Sequence, residues 1–161
     1  MNPTSLKIVT RKELEVIRAR WKNEGQKVVF TNGVFDLIHL GHVDYLEKAR
    51  NLGDKLIVAL NTDASVKRLK GPDRPISDEN ARLRVMAALE FVDATLLFDE
   101  DTPFELISVI KPDILVKGKD YEISNIVGAD IVLENGGSVE TIEFVDGYST
   151  TTIVEKIKRN K

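Results

Sequence analysis

The chain has 161 residues, 30% of them charged, with 23 Lys and Arg against 26 Asp and Glu and a net charge of −3. That length fits one domain with a proper core, and the absence of a basic excess argues against nucleic acid as a partner. Without cysteine there is no disulfide scaffold and no thiolate metal site. The opening MNPTSLKIVTRKEL lacks the apolar core of a signal peptide and no apolar run approaches a membrane span, so a cytoplasmic protein with no membrane partner is expected.

Hydrophobic periodicity sets out the elements in chain order. Thr10 to Asn23 carries Leu14, Ile17 and Trp21 on one stripe and Gly25 as a stop, which predicts an amphipathic helix. Lys27 to Thr31 reads as a strand. Gly41 to Leu52 reads as a helix with Val43, Leu46 and Ala49 inward and Gly53 as its C′ residue. Lys55 to Asn61, KLIVALN, is a buried strand, and Ala64 to Leu69 is a short helix. Ser77 is the expected cap of a helix over Asn80 to Val92, where Leu83, Met86, Ala87 and Glu90 recur at helical spacing. Thr95 to Phe98 is a strand, and Pro103 opens a helix to Ile110. Asp113 to Val116 is a strand, Asn125 to Glu134 a helix, Val139 to Phe144 the last strand and Ser149 to Lys158 the closing helix.

Short apolar strands alternating with helices predict a parallel sheet covered on both faces. Ligands of such sheets sit outside the carboxyl ends of the strands, near a switch in strand order. Four polar segments follow strands here: Thr31 to His42, Asn61 to Asp63, Lys117 to Asp120 and Asp146 to Thr150. All are expected at one edge.

The first of these, TNGVFDLIHLGH, joins a strand to a helix through a loop with Gly33 and Gly41 and holds both histidines of the chain, His39 and His42. A helix N-terminus behind a glycine-bearing loop favours an anion, because free N–H groups and the helix dipole point at it. Two imidazoles in the same turn can donate to phosphate oxygens and offset charge on a leaving pyrophosphate. The alternatives are solvated histidines or half of an HxxH zinc site, for which a carboxylate such as Asp36 would have to be the third ligand. The glycines suit either ordinary turns or close approach of backbone to phosphate. Asp36 suits either Mg²⁺ or the amides of its own loop. Ser149, Thr150 and Thr151 exceed what a helix cap needs, so one is expected to cap and the others to form a second anion site facing the first. Lys67, Arg68, Lys70 and Arg74 flank Gly71 and Pro72; the stretch reads as a solvated face or as a cationic lid.

These segments resemble a known family. GxFDxxHxGH, here Gly33, Phe35, Asp36, His39, Gly41 and His42, is the signature of the HIGH-type nucleotidyltransferases, and their late STTxI matches Ser149, Thr150, Thr151 and Ile153. The intervening NTDASVKRLKGPDRPI, ALEFVDAT and ILVKGKDY resemble the adenylyltransferase domain of the bacterial ADP-heptose synthases, RfaE domain II. The resemblance runs from about Lys7 to Ile157. It implies a Rossmann-like, doubly wound α/β/α fold in one domain over residues 1–161, with residues 1–26 as a helical extension packed on it. It implies ATP and a sugar 1-phosphate as substrates, D-glycero-D-manno-heptose 1-phosphate in particular, with Mg²⁺ carried mainly by the nucleotide phosphates and no metal site of the protein's own. It assigns His39, His42 and Lys70 to catalysis, with Lys70 at the α-phosphate. Nucleotide is expected at Thr31, Asn32, Gly33, Phe35, Asp36, Gly41, Asn61, Asp63, Asp93, Gly118, Ser149, Thr150 and Thr151, and the sugar phosphate at Arg74 and at Lys117, Lys119 and Asp120, whose two cations and carboxylate at the ligand edge can hold a phosphate and sort hydroxyls. Asp93 suits a helix-end loop equally well. A homodimer is common among such proteins. Many are fused to a sugar kinase that is not within these residues, so a separate heptose kinase is an expected partner.

A phosphate monoester, with a second pKa near 6, is already anionic and attacks phosphorus without a general base. The remaining task is alignment and charge neutralisation. Two competing functions stand beside adenylyl transfer. A glycerol-3-phosphate-type cytidylyltransferase would carry an arginine where this chain has Phe144. A non-catalytic nucleotide-binding module would not need both histidines and the late hydroxyls.

Overall fold

The computed structural model describes residues 3–160, so residues 1, 2 and 161 of the expected domain lie outside the description. Five strands, β1 (Val28–Gly33), β2 (Lys55–Asn61), β3 (Ala94–Phe98), β4 (Ile114–Gly118) and β5 (Ser138–Ile142), form one sheet. All neighbours are parallel and the order is β3-β2-β1-β4-β5. Among the described residues seven α-helices accompany them, α1 before β1, α7 after β5 and the others between strands: α1 (Arg11–Asn23), α2 (Leu40–Arg50), α3 (Asp63–Lys70), α4 (Glu79–Ala88), α5 (Phe104–Ile110), α6 (Ala129–Glu134) and α7 (Thr150–Arg159). The result is a Rossmann-like α/β/α domain.

Alternation along β1 builds the layers. Val28 and Phe30 enter a core with Leu14 and Trp21 of α1, Leu106 and Ile107 of α5 and Val132 of α6. Val29 enters the other core, with Tyr45, Leu46 and Ala49 of α2 and Met86 of α4. Each fully buried side chain of this size contributes roughly 1.5–3 kcal/mol before the cost of ordering the chain. The chain runs outward from β1 to β3, then returns to the other side of β1. The switch falls between β1 and β4, where register is limited to Val29 with Ile114 and Phe30 with Leu115. Beyond those pairs the carboxyl ends part and leave a crevice.

Several ends differ from the periodicity. The cap of α4 is Asp78, which accepts from Asn80 and Ala81 N–H; Ser77 instead donates its N–H to Asp36. That helix stops at Ala88 rather than Val92, with Leu89 already extended. Gly53 is not a left-handed C′ residue; a Cβ there would stand 2.8 Å from Lys27 O, so close strand approach is what it permits. The expected helix over Asn125 to Glu134 is a 3₁₀ turn, Ile123–Asn125, then α6, separated by Gly128 at φ 82°. β5 ends at Ile142, which leaves Phe144 in a loop. No helix among the described residues is long and apolar enough to cross a membrane.

Candidate active site

The crevice opens into a cleft of ≈ 560 Å³ at the carboxyl end of the sheet. It is lined by Asn32, Gly33, Phe35, Asp36, His39, His42, Lys70, Arg74, Lys117, Gly118, Asp120, Ser149, Thr150 and Thr151. The segments after β1, β4 and β5 and the α3-to-α4 connection therefore supply one site.

His39 occupies the cap position of α2 and His42 lies in its first turn. Their rings stack, with centroids 3.8 Å apart and planes inclined by 23°. Phe35, held at φ 48°, sets its ring against His42 at 5.2 Å. The lone pairs of stacked imidazoles lie in nearly parallel planes and do not converge on one ion, so the arrangement favours side-by-side donation to an extended polyanion over zinc. Burial, then the charges of His39 and Lys70, push His42 down to about 4. Burial also lowers His39. Both are neutral near pH 7, and each then has one N–H to donate. Both Nδ1 atoms are buried with no partner among the described residues, a costly arrangement that a ligand group would relieve.

The glycines serve these rings. A Cβ on Gly33 would stand 2.9 Å from Phe35 Cε2, and one on Gly41 would stand 3.1 Å from His39 Cε1 and Nδ1. At both positions the room a Cβ would need is taken by an aromatic ring. Tyr148 O also lies beside Gly41, at 3.5 Å from where a Cβ would stand, so the start of α7 adjoins the start of α2. Ser149 caps α7 by accepting Thr152 N–H at 3.0 Å. Thr150 and Thr151 are left facing the cleft, so two helix N-termini bound one anion-sized space.

Asp36 braces the loop between α3 and α4. Its carboxylate accepts Ile76 and Ser77 N–H at 2.9 Å and pairs with Arg74 Nε at 2.9 Å. Burial alone would raise its pKa, but the Ser77 and Ile76 N–H groups and the Arg74 guanidinium outweigh it and hold the carboxyl below its usual range. Arg74 thus reaches the cleft already paired. Lys70, at the end of α3, is exposed at the cleft rim. Arg68 turns away to Asp101, at 3.0 Å, and to Asp99.

Arg82 escaped the sequence reading, and it organises the floor. It is 2% exposed. Nε donates to Ser77 O, Nη1 to Val34 O, and Nη2 to Asn61 O and Asp63 Oδ1 at 2.7 Å. One guanidinium ties the α3-to-α4 loop, the loop after β1, the end of β2 and the start of α3. The available signal was a charged residue in the inward register of α4, beside Leu83 and Met86. Asn61 and Asp63 act below the cleft through Arg82 and Ser65 rather than lining it.

On the β4 side, Lys117 Nζ donates to Asn32 Oδ1. Burial pushes Lys117 down to about 8. A Cβ on Gly118 would run into the Phe144 ring and the Asp120 carboxylate. Phe144 stacks on Tyr45 at 5.1 Å, and Tyr45 OH meets Thr31 Oγ1 at 2.8 Å. Thr31 is therefore buried behind the cleft wall. Tyr121 and Tyr148 complete an aromatic end that periodicity did not reveal.

Two expected site residues lie elsewhere. Asp93 sits at the amino ends of β2 and β3, accepting Leu56 N–H and pairing with Arg50 and Lys55. Lys119 pairs with Glu143 on the surface. Among the described residues no group of three or more His, Cys, Asp or Glu is placed to hold a metal ion.

The cytidylyltransferase-like family model matches residues 30–156. The chain is 57% identical over 149 residues to the bifunctional protein HldE of Citrifermentans bemidjiense, covering 91% of this chain and 31% of that one. It is 56% identical over 155 residues to HldE of Campylobacter jejuni, covering 96% of this chain and 32% of the relative. The chain thus spans about a third of these relatives. A crystal structure of the lipopolysaccharide core biosynthesis protein from Thermoplasma volcanium superposes with a TM-score of 0.60 at 34% identity, over 78% of this chain and 100% of that one.

Proposed function

We propose that this chain, which belongs to the cytidylyltransferase-like family, transfers AMP from ATP to D-glycero-D-manno-heptose 1-phosphate, giving ADP-heptose and pyrophosphate for lipopolysaccharide or another heptose glycan. The observation that carries the transfer chemistry is the gathering of His39, His42, Lys70, Thr150 and Thr151 around one cleft at the strand-order switch. These groups suit a triphosphate: N–H donors, hydroxyls, an exposed cation and two helix ends.

The acceptor phosphate supplies its own nucleophile. One oxygen forms a bond to the α-phosphorus, and the bond from that phosphorus to pyrophosphate breaks. The histidines donate to the leaving pyrophosphate while Lys70 neutralises the α-phosphoryl oxygens. Mg²⁺ carried in with the nucleotide would supply positive charge that offsets repulsion among the phosphates. With Asp36 engaged by Arg74 and two amides, the residues present fit a cation brought by the nucleotide. The sugar 1-phosphate requires a kinase upstream, in the same polypeptide or another.

The choice of heptose rests on the resemblance across NTDASVKRLKGPDRPI and ILVKGKDY, and the likeness to a lipopolysaccharide core biosynthesis protein supports it. The competing pair, CTP with glycerol 3-phosphate, loses support at Phe144. The test is pyrophosphate release from four nucleoside triphosphates against a panel of sugar and polyol phosphates. Turnover highest for ATP with heptose 1-phosphate is expected. No release with any pair would overturn the enzymatic reading.

A further inference from the structure

A second cleft, ≈ 490 Å³, lies at the opposite end of the sheet, before the amino ends of β1, β4 and β5. Arg18, Lys22, Gln26, Lys27, Asp113 and Ser138 line it. Nothing in the transfer chemistry uses these residues.

Arg18 is 8% exposed, and its other nitrogens are engaged: Nε with Ile110 O, Nη2 with Lys111 O and the Asp113 carboxylate. Its Nη1 is buried and has no partner among the described residues. The single carboxylate of the lining is occupied, since Asp113 accepts both Arg18 Nη2 and Val28 N–H at 2.7 Å. Lys22 and Lys27 are exposed and form no ion pair among the described residues. The cleft lining therefore carries three cations and one carboxylate, a net charge of +2 with Arg18 and Asp113 paired. α1 and α6 end here, which turns the negative ends of two helix dipoles toward it. Three carbonyls of each last turn are already taken: Arg20, Trp21 and Lys22 O by Glu24, Gln26 and Gly25 N–H, and Ile131, Val132 and Leu133 O by Asn135, Gly137 and Gly136 N–H. The cations are left to set the sign.

Gln26 Oε1 is the second buried atom without a partner in this cleft. It requires a donor, whereas Arg18 Nη1, Lys22 and Lys27 require acceptors. Inorganic phosphate offers both, because its dianion at neutral pH keeps one O–H beside three acceptor oxygens. We infer that this cleft is a second anion site, separate from the active site, that takes inorganic phosphate, with Arg18, Lys22 and Lys27 on its oxygens and Gln26 on its O–H. The inference is independent of the proposed reaction.

The experiment is a titration of the full chain with inorganic phosphate at fixed ionic strength, followed by backbone amide NMR shifts. Saturable shifts at Gly25, Gln26, Gly136, Gly137 and Ser138 are expected, and they persist in His42→Ala. Lys22→Glu/Lys27→Glu changes exposed side chains only and should weaken binding at least ~10-fold through charge reversal. Sulfate, which lacks the proton at neutral pH, should bind more weakly than phosphate. Shifts confined to the active-site cleft, linear shifts reproduced by chloride, an unaffected double variant or sulfate binding as tightly would each overturn the assignment.

Discussion

Lys117 Nζ donates to Asn32 Oδ1 across the gap where β1 and β4 stop pairing. This contact joins the two strands that flank the switch and places a desolvated ammonium, pushed down to about 8, in the wall of the active site. Its only hydrogen-bond partner among the described residues is that neutral amide, so it suits an incoming phosphate.

Lys117→Met should therefore weaken substrate binding without unfolding the protein. A rise in KM of at least ~10-fold is expected for loss of a charge-assisted contact. Stability has a definite pH signature. The folded pKa lies below the unfolded one, 10.5, so between about 8 and 10.5 the unfolded chain binds more protons and this group's contribution rises with pH. Urea denaturation should show the Lys117→Met variant at least as stable as wild type at pH 7 and the gap closing by pH 10. A gap unchanged across that window would show that Lys117 does not titrate there.

Losing one donor to the leaving group typically costs 10²–10³ in kcat. His39→Ala and His42→Ala should each fall by roughly that factor, with far-UV circular dichroism unchanged. Near-normal turnover in both would remove the histidines from the mechanism. His42 also predicts an acid effect. Its folded value of about 4 lies below the ordinary 6.5, so its neutral form supports the fold above 6.5 and that support is lost as pH falls through 4. His42→Asn should lose less stability than wild type between pH 7 and 4.5, measured by denaturant titration at each pH.

Arg82→Met should be the most damaging substitution at the site. It strands Asp63 and three carbonyls together, and breaking a buried pair costs about 3–5 kcal/mol. Asp36→Asn should be milder, costing about 1.5–3 kcal/mol for its charged hydrogen bonds, but it should loosen the α3-to-α4 loop. Limited trypsin digestion at Lys70 reads this directly, with faster cleavage expected in Asp36→Asn. Equal cleavage rates would detach Asp36 from that loop.

The parallel sheet and the cleft edge were legible because strand and helix periods are local. KLIVALN reads as a buried strand wherever it sits, and β2 spans those residues. Motif residues in one loop, such as His39 and His42, also carried their own context. What escaped was decided by packing across the chain. The guanidinium of Arg82 acts on carbonyls 48 and 21 positions away. Tyr45 and Phe144 meet only after β5 is laid beside β4. Asp93 followed a family-like string, yet it lies at the amino end of β3, where Arg50 and Lys55 converge on it. No local pattern distinguishes the two ends of a short strand for an aspartate at its border.

The last prediction concerns substrate choice, and it turns on Phe144. The cytidylyltransferases that the chain resembles present an arginine there; here an apolar ring stacks on Tyr45 and borders the cleft beside Gly118. That ring offers no hydrogen bond to a cytosine carbonyl. The same end of the cleft presents Lys117 and Asp120, a cation and a carboxylate that can sort the hydroxyls of a large polar substrate. We therefore expect kcat/KM for ATP with heptose 1-phosphate to exceed that for CTP with glycerol 3-phosphate by at least ~10², about 2.7 kcal/mol, within reach of a few buried hydrogen bonds left unpaired by the wrong ligand. Phe144→Arg should narrow the ratio by raising the CTP rate. It should also disturb the Tyr45 contact, so Phe144→Leu serves as the control that removes the ring without adding a donor. A ratio near one in the wild-type protein would overturn the substrate assignment and leave the nucleotidyltransferase assignment standing; equal effects of the two substitutions would show that ring packing, not the missing donor, sets the choice.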